Sequence, residues 1–191
     1  MSGKTGESMK LTFYGRRKEI RHIIKTLESE NYIEIFGMRG IGRTALLIKL
    51  HETFLRITDY YPIFIDRYRS KELVDPILMR IKHITDLIDD ELAAKINLML
   101  KGIKNDALDT LIGIKKLISK LIGKEIILLI DDAFSFSISK DVRLIKKLRE
   151  SFKIIATMIY PRISTKNQRL LIEPLDWTTY EKIVHHYQTF T

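Results

Sequence analysis

The run EIILLI, Glu125 to Ile130, is the most apolar stretch of the chain. It is apolar on consecutive residues, so it predicts a strand buried on both faces at the centre of a sheet. Tyr32 to Phe36 (YIEIF), Tyr61 to Asp66 (YPIFID), Lys153 to Thr157 (KIIAT) and Arg169 to Ile172 (RLLI) read as further strands. Helical patterns fall between most of them. Leu46, Leu47, Leu50 and Phe54 share one helical face, and Asp141 to Glu150 is a charged amphipathic helix. Asp176 reads as the N-cap of a last helix, Trp177 to Tyr187, with Trp177 expected to pack that helix onto the sheet. Five strands alternating with helices predict an α/β fold with a parallel sheet. Residues 70–122 read as mostly helical in several pieces, with breaks at Asp75-Pro76, Asp89-Asp90, Gly102 and Asn105. Within that stretch, residues 84–124 are expected to form a helical insertion. The expected organisation is a flexible start over residues 1–10 and a single domain over residues 11–191.

The composition narrows the function classes. At 191 residues, 45% hydrophobic and 30% charged, the chain is that of an ordinary globular protein. No run of about 18 apolar residues occurs, so no transmembrane helix and no membrane partner are expected. The N-terminus MSGKTGESMK lacks an apolar core and does not read as a signal peptide; its GKT triplet has no strand before it. The absence of cysteine excludes disulfides and thiol catalysis and fits a cytoplasmic protein. A net charge of +9 favours polyanionic partners, nucleotides, DNA, RNA or an acidic membrane surface, with a solvated lysine-rich surface as the alternative.

The chemistry concentrates at GMRGIGRT, residues 37–44. It follows a strand, opens a helix, and departs by one letter from the phosphate-binding pattern G-x-x-x-x-G-K-[ST]. Gly37, Gly40 and Gly42 let backbone N–H groups turn inward around phosphate oxygens, and the following helix aims its positive end there. Arg39, Ile41 and Ala45 complete the loop and the first helical residues. Thr44 carries the hydroxyl expected on Mg²⁺. Arg43 stands where the pattern has lysine; its planar guanidinium neutralises phosphate from a different position. An ordinary glycine turn is the alternative.

EIILLIDD then puts Asp131 and Asp132 at the C-terminal end of the central strand, where parallel sheets bind ligands. Asp131 is expected to hold Mg²⁺ through its water shell, and Asp132 to orient or activate an attacking water. The segment FYGRRKEI offers Phe13, Tyr14 and Arg16 to a nucleotide base, with a helix-entry turn as the alternative. His185-His186 reads as a surface pair, since adjacent helix positions do not face the same side.

Taken in order, FYGRRKEIRHIIKTL, YIEIFGMRGIGRTALL, IILLIDDA, KIIAT and RLLIEPLDWTTYEKIV resemble the AAA+/STAND branch of P-loop ATPases over nearly the whole chain. The closest flavour is the archaeal ATPase family, akin to origin-recognition ATPases. The resemblance implies a five-stranded sheet in the order 5-1-4-3-2, flanked by helices, with ATP and Mg²⁺ at the loop. It assigns Gly37, Gly40, Gly42, Arg43 and Thr44 to the phosphate loop, and Asp131 and Asp132 to the acidic strand end. Thr157 takes the place of the polar sensor, Tyr14, Gly15 and Arg16 the adenine side, and Arg149 or Arg162 that of an arginine acting in a neighbouring subunit. Two residues depart from the pattern: Arg43 replaces lysine, and Asp132 replaces glutamate. A lid and a winged-helix domain are not expected within this sequence. Two functional readings stay open. One is an ATP-binding protein that hydrolyses slowly, as an oligomer or on DNA; the other is a degenerate ATPase fold that binds DNA or a protein partner without ATP.

Overall fold

A computed structural model describes residues 15–56, 59–67, 73–88, 90–101, 107–134, 138–163 and 168–188. Along the chain run α1 (Arg17–Ser29), β1 (Tyr32–Phe36), α2 (Arg43–Arg56), β2 (Tyr60–Asp66), α3 (Val74–Ile88), α4 (Asp90–Lys101), α5 (Ala107–Ile122), β3 (Glu125–Asp131), α6 (Ile138–Leu148), β4 (Lys153–Met158), β5 (Arg169–Leu171) and α7 (Trp177–Gln188). The five strands form one parallel sheet in the order β2-β3-β4-β1-β5, the order that the resemblance implies.

The side-chain alternation of β3 divides the core in two. Ile126, Leu128 and Ile130 face a core shared with Ile77 and Ile81 of α3, Leu111, Ile114 and Ile118 of α5, and Ile145 of α6. Ile127 and Leu129 face the other core, with Ile23 and Leu27 of α1 and Leu46, Leu47, Leu50 and Phe54 of α2. Every strand residue from Ile126 to Ile130 is fully buried. Each such side chain contributes about 2 kcal/mol relative to exposure, which is why this run sits at the centre of the molecule.

Local signals set several boundaries. Asp75-Pro76 falls in the first turn of α3, where the missing proline N–H has no helical partner to lose. Asp89, Gly102 and Asn105 lie outside the described residues. Asp176 caps α7: its carboxylate accepts the Thr179 N–H at 2.7 Å and the Thr178 hydroxyl at 2.6 Å. Those bonds hold its pKa down at about 2, from 3.8. Because the folded value is the lower one, the cap contributes fully above pH 3.8 and is lost as pH falls through about 2.

Trp177 corrects an expectation. It does not pack α7 onto the sheet; it is 69% exposed and stacks on Tyr180, with ring centroids 5.5 Å apart. As the first residue of its helix it lies one turn before Tyr180, so the two rings cover each other. Leu175 and Thr179 lie instead against Gly15, close enough that a Cβ there would meet them at 3.1 and 3.2 Å.

Candidate functional site

The glycine loop leaves β1 at Phe36 and enters α2 at Arg43. Gly37 is needed for space: a Cβ would lie 2.9 Å from the Ile172 carbonyl oxygen, in the segment after β5. Gly40 and Gly42 have φ values of 81° and 96°, in the left-handed region that glycine adopts without strain. A Cβ on either would meet nothing within 4 Å, so the loop borders open space. The first turn of α2 carries no acidic side chain of its own, and the positive end of its dipole lies beside that space. Thr44, Ala45 and Arg39 are exposed there, and Ile41 packs partly into the core under the loop.

Arg43 does not point into bulk water. Its side chain is 11% exposed, and its Nη1 is buried without a hydrogen-bond partner, 4.0 Å from an Asp132 carboxylate oxygen. A buried guanidinium nitrogen without an acceptor is costly unless an anion completes it.

Asp131 ends β3, and β4 lies between β3 and β1, so Thr157 sits between the acidic pair and the loop. The Thr44 hydroxyl donates to one Asp131 oxygen at 2.8 Å, and the Thr157 hydroxyl donates to the other at 2.5 Å. The Thr157 oxygen also accepts the Asp132 N–H at 2.8 Å, while its backbone carbonyl accepts Ala133 N–H at 2.9 Å. Asp132 has a φ of 51°, a left-handed conformation that aspartate tolerates better than most residues, and these two bonds to Thr157 hold the turn. The hydroxyl of Thr157 is therefore already engaged with both aspartates, and its side chain is buried. Thr44 and Asp131 together present hard oxygen donors, the type that suits Mg²⁺. Among the described residues, no cluster of three or more His, Cys, Asp or Glu could hold a metal; a Mg²⁺ ion completed by phosphates and water needs none.

Comparison with known proteins decides the family. Residues 13–159 match the model of an ATPase domain predominantly from Archaea. The chain belongs to this archaeal ATPase family. No curated protein matches it in sequence. Its fold is similar to that of a Walker-type ATPase of Pyrococcus abyssi, with 15% identity, a TM-score of 0.57, and 95% of this chain against 60% of that one covered. It is also similar to a STAND ATPase with a tetratricopeptide-repeat sensor from Pyrococcus horikoshii, with 17% identity, a TM-score of 0.57 and coverage of 94% and 26%. The third comparison is Cdc6p from Pyrobaculum aerophilum, at 14% identity, a TM-score of 0.58 and coverage of 95% and 51%. The chain thus spans between about a quarter and three fifths of the length of these neighbours. Among the described residues, no helix is long and apolar enough to cross a membrane.

Against the archaeal ATPase pattern, the remaining expected residues fall as follows. Arg16 is buried in a left-handed conformation before α1; its guanidinium pairs with Glu19 at 2.9 Å and donates to the Ile41 carbonyl at 3.1 Å. It braces the loop from behind. A cleft of about 280 Å³ opens beside it, between residues 15–19 and Pro174, Leu175, Asp176 and Thr179. Phe13 and Tyr14 lie outside the described residues, as do residues 1–10 and the side chains of His185 and His186. Arg149 lies near Tyr32, at the end of β1 away from the loop, and Arg162 has an exposed side chain in the segment after β4.

Two polar groups of this ATPase domain escaped the sequence reading. Glu34, fully buried in β1, accepts the Tyr32 hydroxyl at 2.9 Å and the backbone N–H groups of Arg162 and Ile163 at 3.0 and 2.7 Å. It ties the segment after β4 to the strand that carries the loop. Burial, reinforced by the Glu34 charge, pushes the Tyr32 phenol far above its usual range, so it stays a donor. Arg67, just past β2, is fully buried and donates to both Asp141 oxygens at 2.9 Å. A charged letter inside an apolar strand was the available signal for Glu34; Arg67 and Asp141 are 74 residues apart and left none.

Proposed function

We propose that this chain binds ATP with Mg²⁺ at the glycine loop and hydrolyses it slowly. The observation that carries the reading is the buried Arg43 Nη1, which makes no hydrogen bond, beside a glycine cradle open to solvent. Phosphate oxygens in that cradle satisfy the guanidinium, the α2 N-terminus and the inward N–H groups together. Thr44 and Asp131 would hold Mg²⁺. The ion would supply charge neutralisation at the phosphates. Asp132 orients the attacking water, and Thr157 positions both aspartates. Arg16 steadies the loop, and the cleft beside it, with Tyr14, takes the adenine. Gly37, Arg39, Gly40, Ile41, Gly42 and Ala45 shape the phosphate side.

Catalysis here is positioning and electrostatics, which explains the expectation of slow turnover. Guanidinium is wider than ammonium and cannot occupy the lysine position. Asp132 reaches about one methylene less far than glutamate. Phosphate release is the test. Thr44→Ala and Asp131→Asn should each remove Mg²⁺-dependent turnover; activity at the wild-type level in either variant rejects the site.

A DNA-coupled role and a homo-oligomer, with Arg149 or Arg162 serving a neighbouring subunit, are the finer part of the proposal. The net charge of +9 supports it. So does the similarity in fold to a Drosophila origin recognition complex whose structure contains DNA, at 12% identity and a TM-score of 0.57. A second reading has its own observation: Arg43 leans toward Asp132 at 4.0 Å, so the loop can be neutralised from within. That is the degenerate fold, a module binding DNA or protein without ATP.

A further inference from the structure

A cavity also lies away from the glycine loop. It is a trough of about 430 Å³ beside β2, one of the two edge strands of the sheet. One wall is α2, with Ile48, His51 and Leu55 on a single face; the other is α3, with Arg80, His83 and Ile84. The floor is β2 from Tyr61 to Phe64.

Three properties define what fits. First, the walls are apolar and uncovered: Ile48 is 48% and Leu55 50% exposed. Leu87, one turn beyond His83 and Ile84 on α3, is 73% exposed and prolongs the apolar line past the trough. An elongated occupant covers that line; a compact one does not.

Second, the floor offers backbone. Asp59 accepts from Glu125, and Arg67 donates to Asp131, so the odd-numbered residues of β2 address β3. The main-chain groups of Pro62 and Phe64 turn to the outer edge, leaving the Pro62 carbonyl as acceptor and the Phe64 N–H as donor. Proline removes one donor from this edge, which limits a strand laid there to a short pairing.

Third, the charged side chain among the described lining residues is basic. Arg80 faces the trough beside His51 and His83, and among the described residues no carboxylate lines it. His51 is half-buried, edge-on to Phe64 at 6.3 Å, and its pKa is lowered by burial first and by the Arg80 charge second, against the opposing pull of Glu52.

We propose that this trough is a docking site for an extended peptide carrying apolar side chains and at least one carboxylate. The apolar side chains pack on the α2 and α3 walls, the carboxylate meets Arg80, and the backbone bonds Pro62 and Phe64. The site is independent of the nucleotide reading, and α2 links the two physically: it begins at Arg43 and carries the trough wall within its next turns.

A displayed library of random nine-residue peptides, selected on the full chain without nucleotide, tests this. Enriched peptides should combine apolar and acidic residues. Their dissociation constants should rise at least tenfold on Arg80→Glu and on Leu55→Glu, both at exposed positions, with unchanged melting temperatures. A lack of enrichment, enrichment of basic peptides, or equal binding to both variants overturns the proposal. Octanoate binding as tightly as the peptides also overturns it, since the trough is then a site for small carboxylates.

Discussion

Thr157 shows how much one hydroxyl can organise. It donates to Asp131 and accepts from Asp132, so it fixes the orientation of the acidic pair. Replacing it with valine keeps the shape and leaves the Asp132 N–H unpaired. The expected cost is about 1–3 kcal/mol of stability, read as a lower denaturation midpoint, and turnover should fall more than ATP affinity. A variant with wild-type turnover contradicts the positioning role. The identity of this residue was visible from sequence, as a polar letter ending an apolar strand, but its bonds were not, because they join residues 25 and 26 apart. The same holds for Arg16, whose acceptor at Ile41 is 25 residues away.

Secondary elements were more legible than the contacts between them. Strand runs such as EIILLI and KIIAT announce themselves because burial on both faces demands unbroken apolar letters. How a helix docks is decided by partners the local pattern does not name, and Trp177 is the clear case: it opens α7 but stacks within its own helix. Helix α6 is another. Its Asp141 lies under the helix against Arg67, with side chains 6% and 0% exposed. Removing one partner leaves a buried charge, so Asp141→Ala should cost about 3–5 kcal/mol. Since α6 follows the turn of Asp132, local exchange in that turn should rise as well. A loss under about 1 kcal/mol by chemical denaturation means the pair does not anchor this helix.

For the molecule as a whole, strand order was readable only through the family resemblance; periodicity alone gives strands without their neighbours. The sheet then explains why distant motifs converge: β4 lies between β1 and β3, bringing Thr44, Asp131 and Thr157 into one hydrogen-bonded set. The positive charge of the chain belongs to this scale too. If DNA is a partner, its binding should weaken steeply between low and physiological salt, as phosphate contacts require. Binding that ignores salt argues against a role for that charge.

The most direct test of the central claim is calorimetric titration of ATP, with and without Mg²⁺, into the wild-type chain and an Arg43→Lys variant. The account predicts Mg²⁺-dependent binding by the wild type, because the buried Arg43 Nη1 gains the hydrogen-bond acceptor it lacks. Binding by the lysine variant alone contradicts it, and identifies a fold that has lost its nucleotide at one residue.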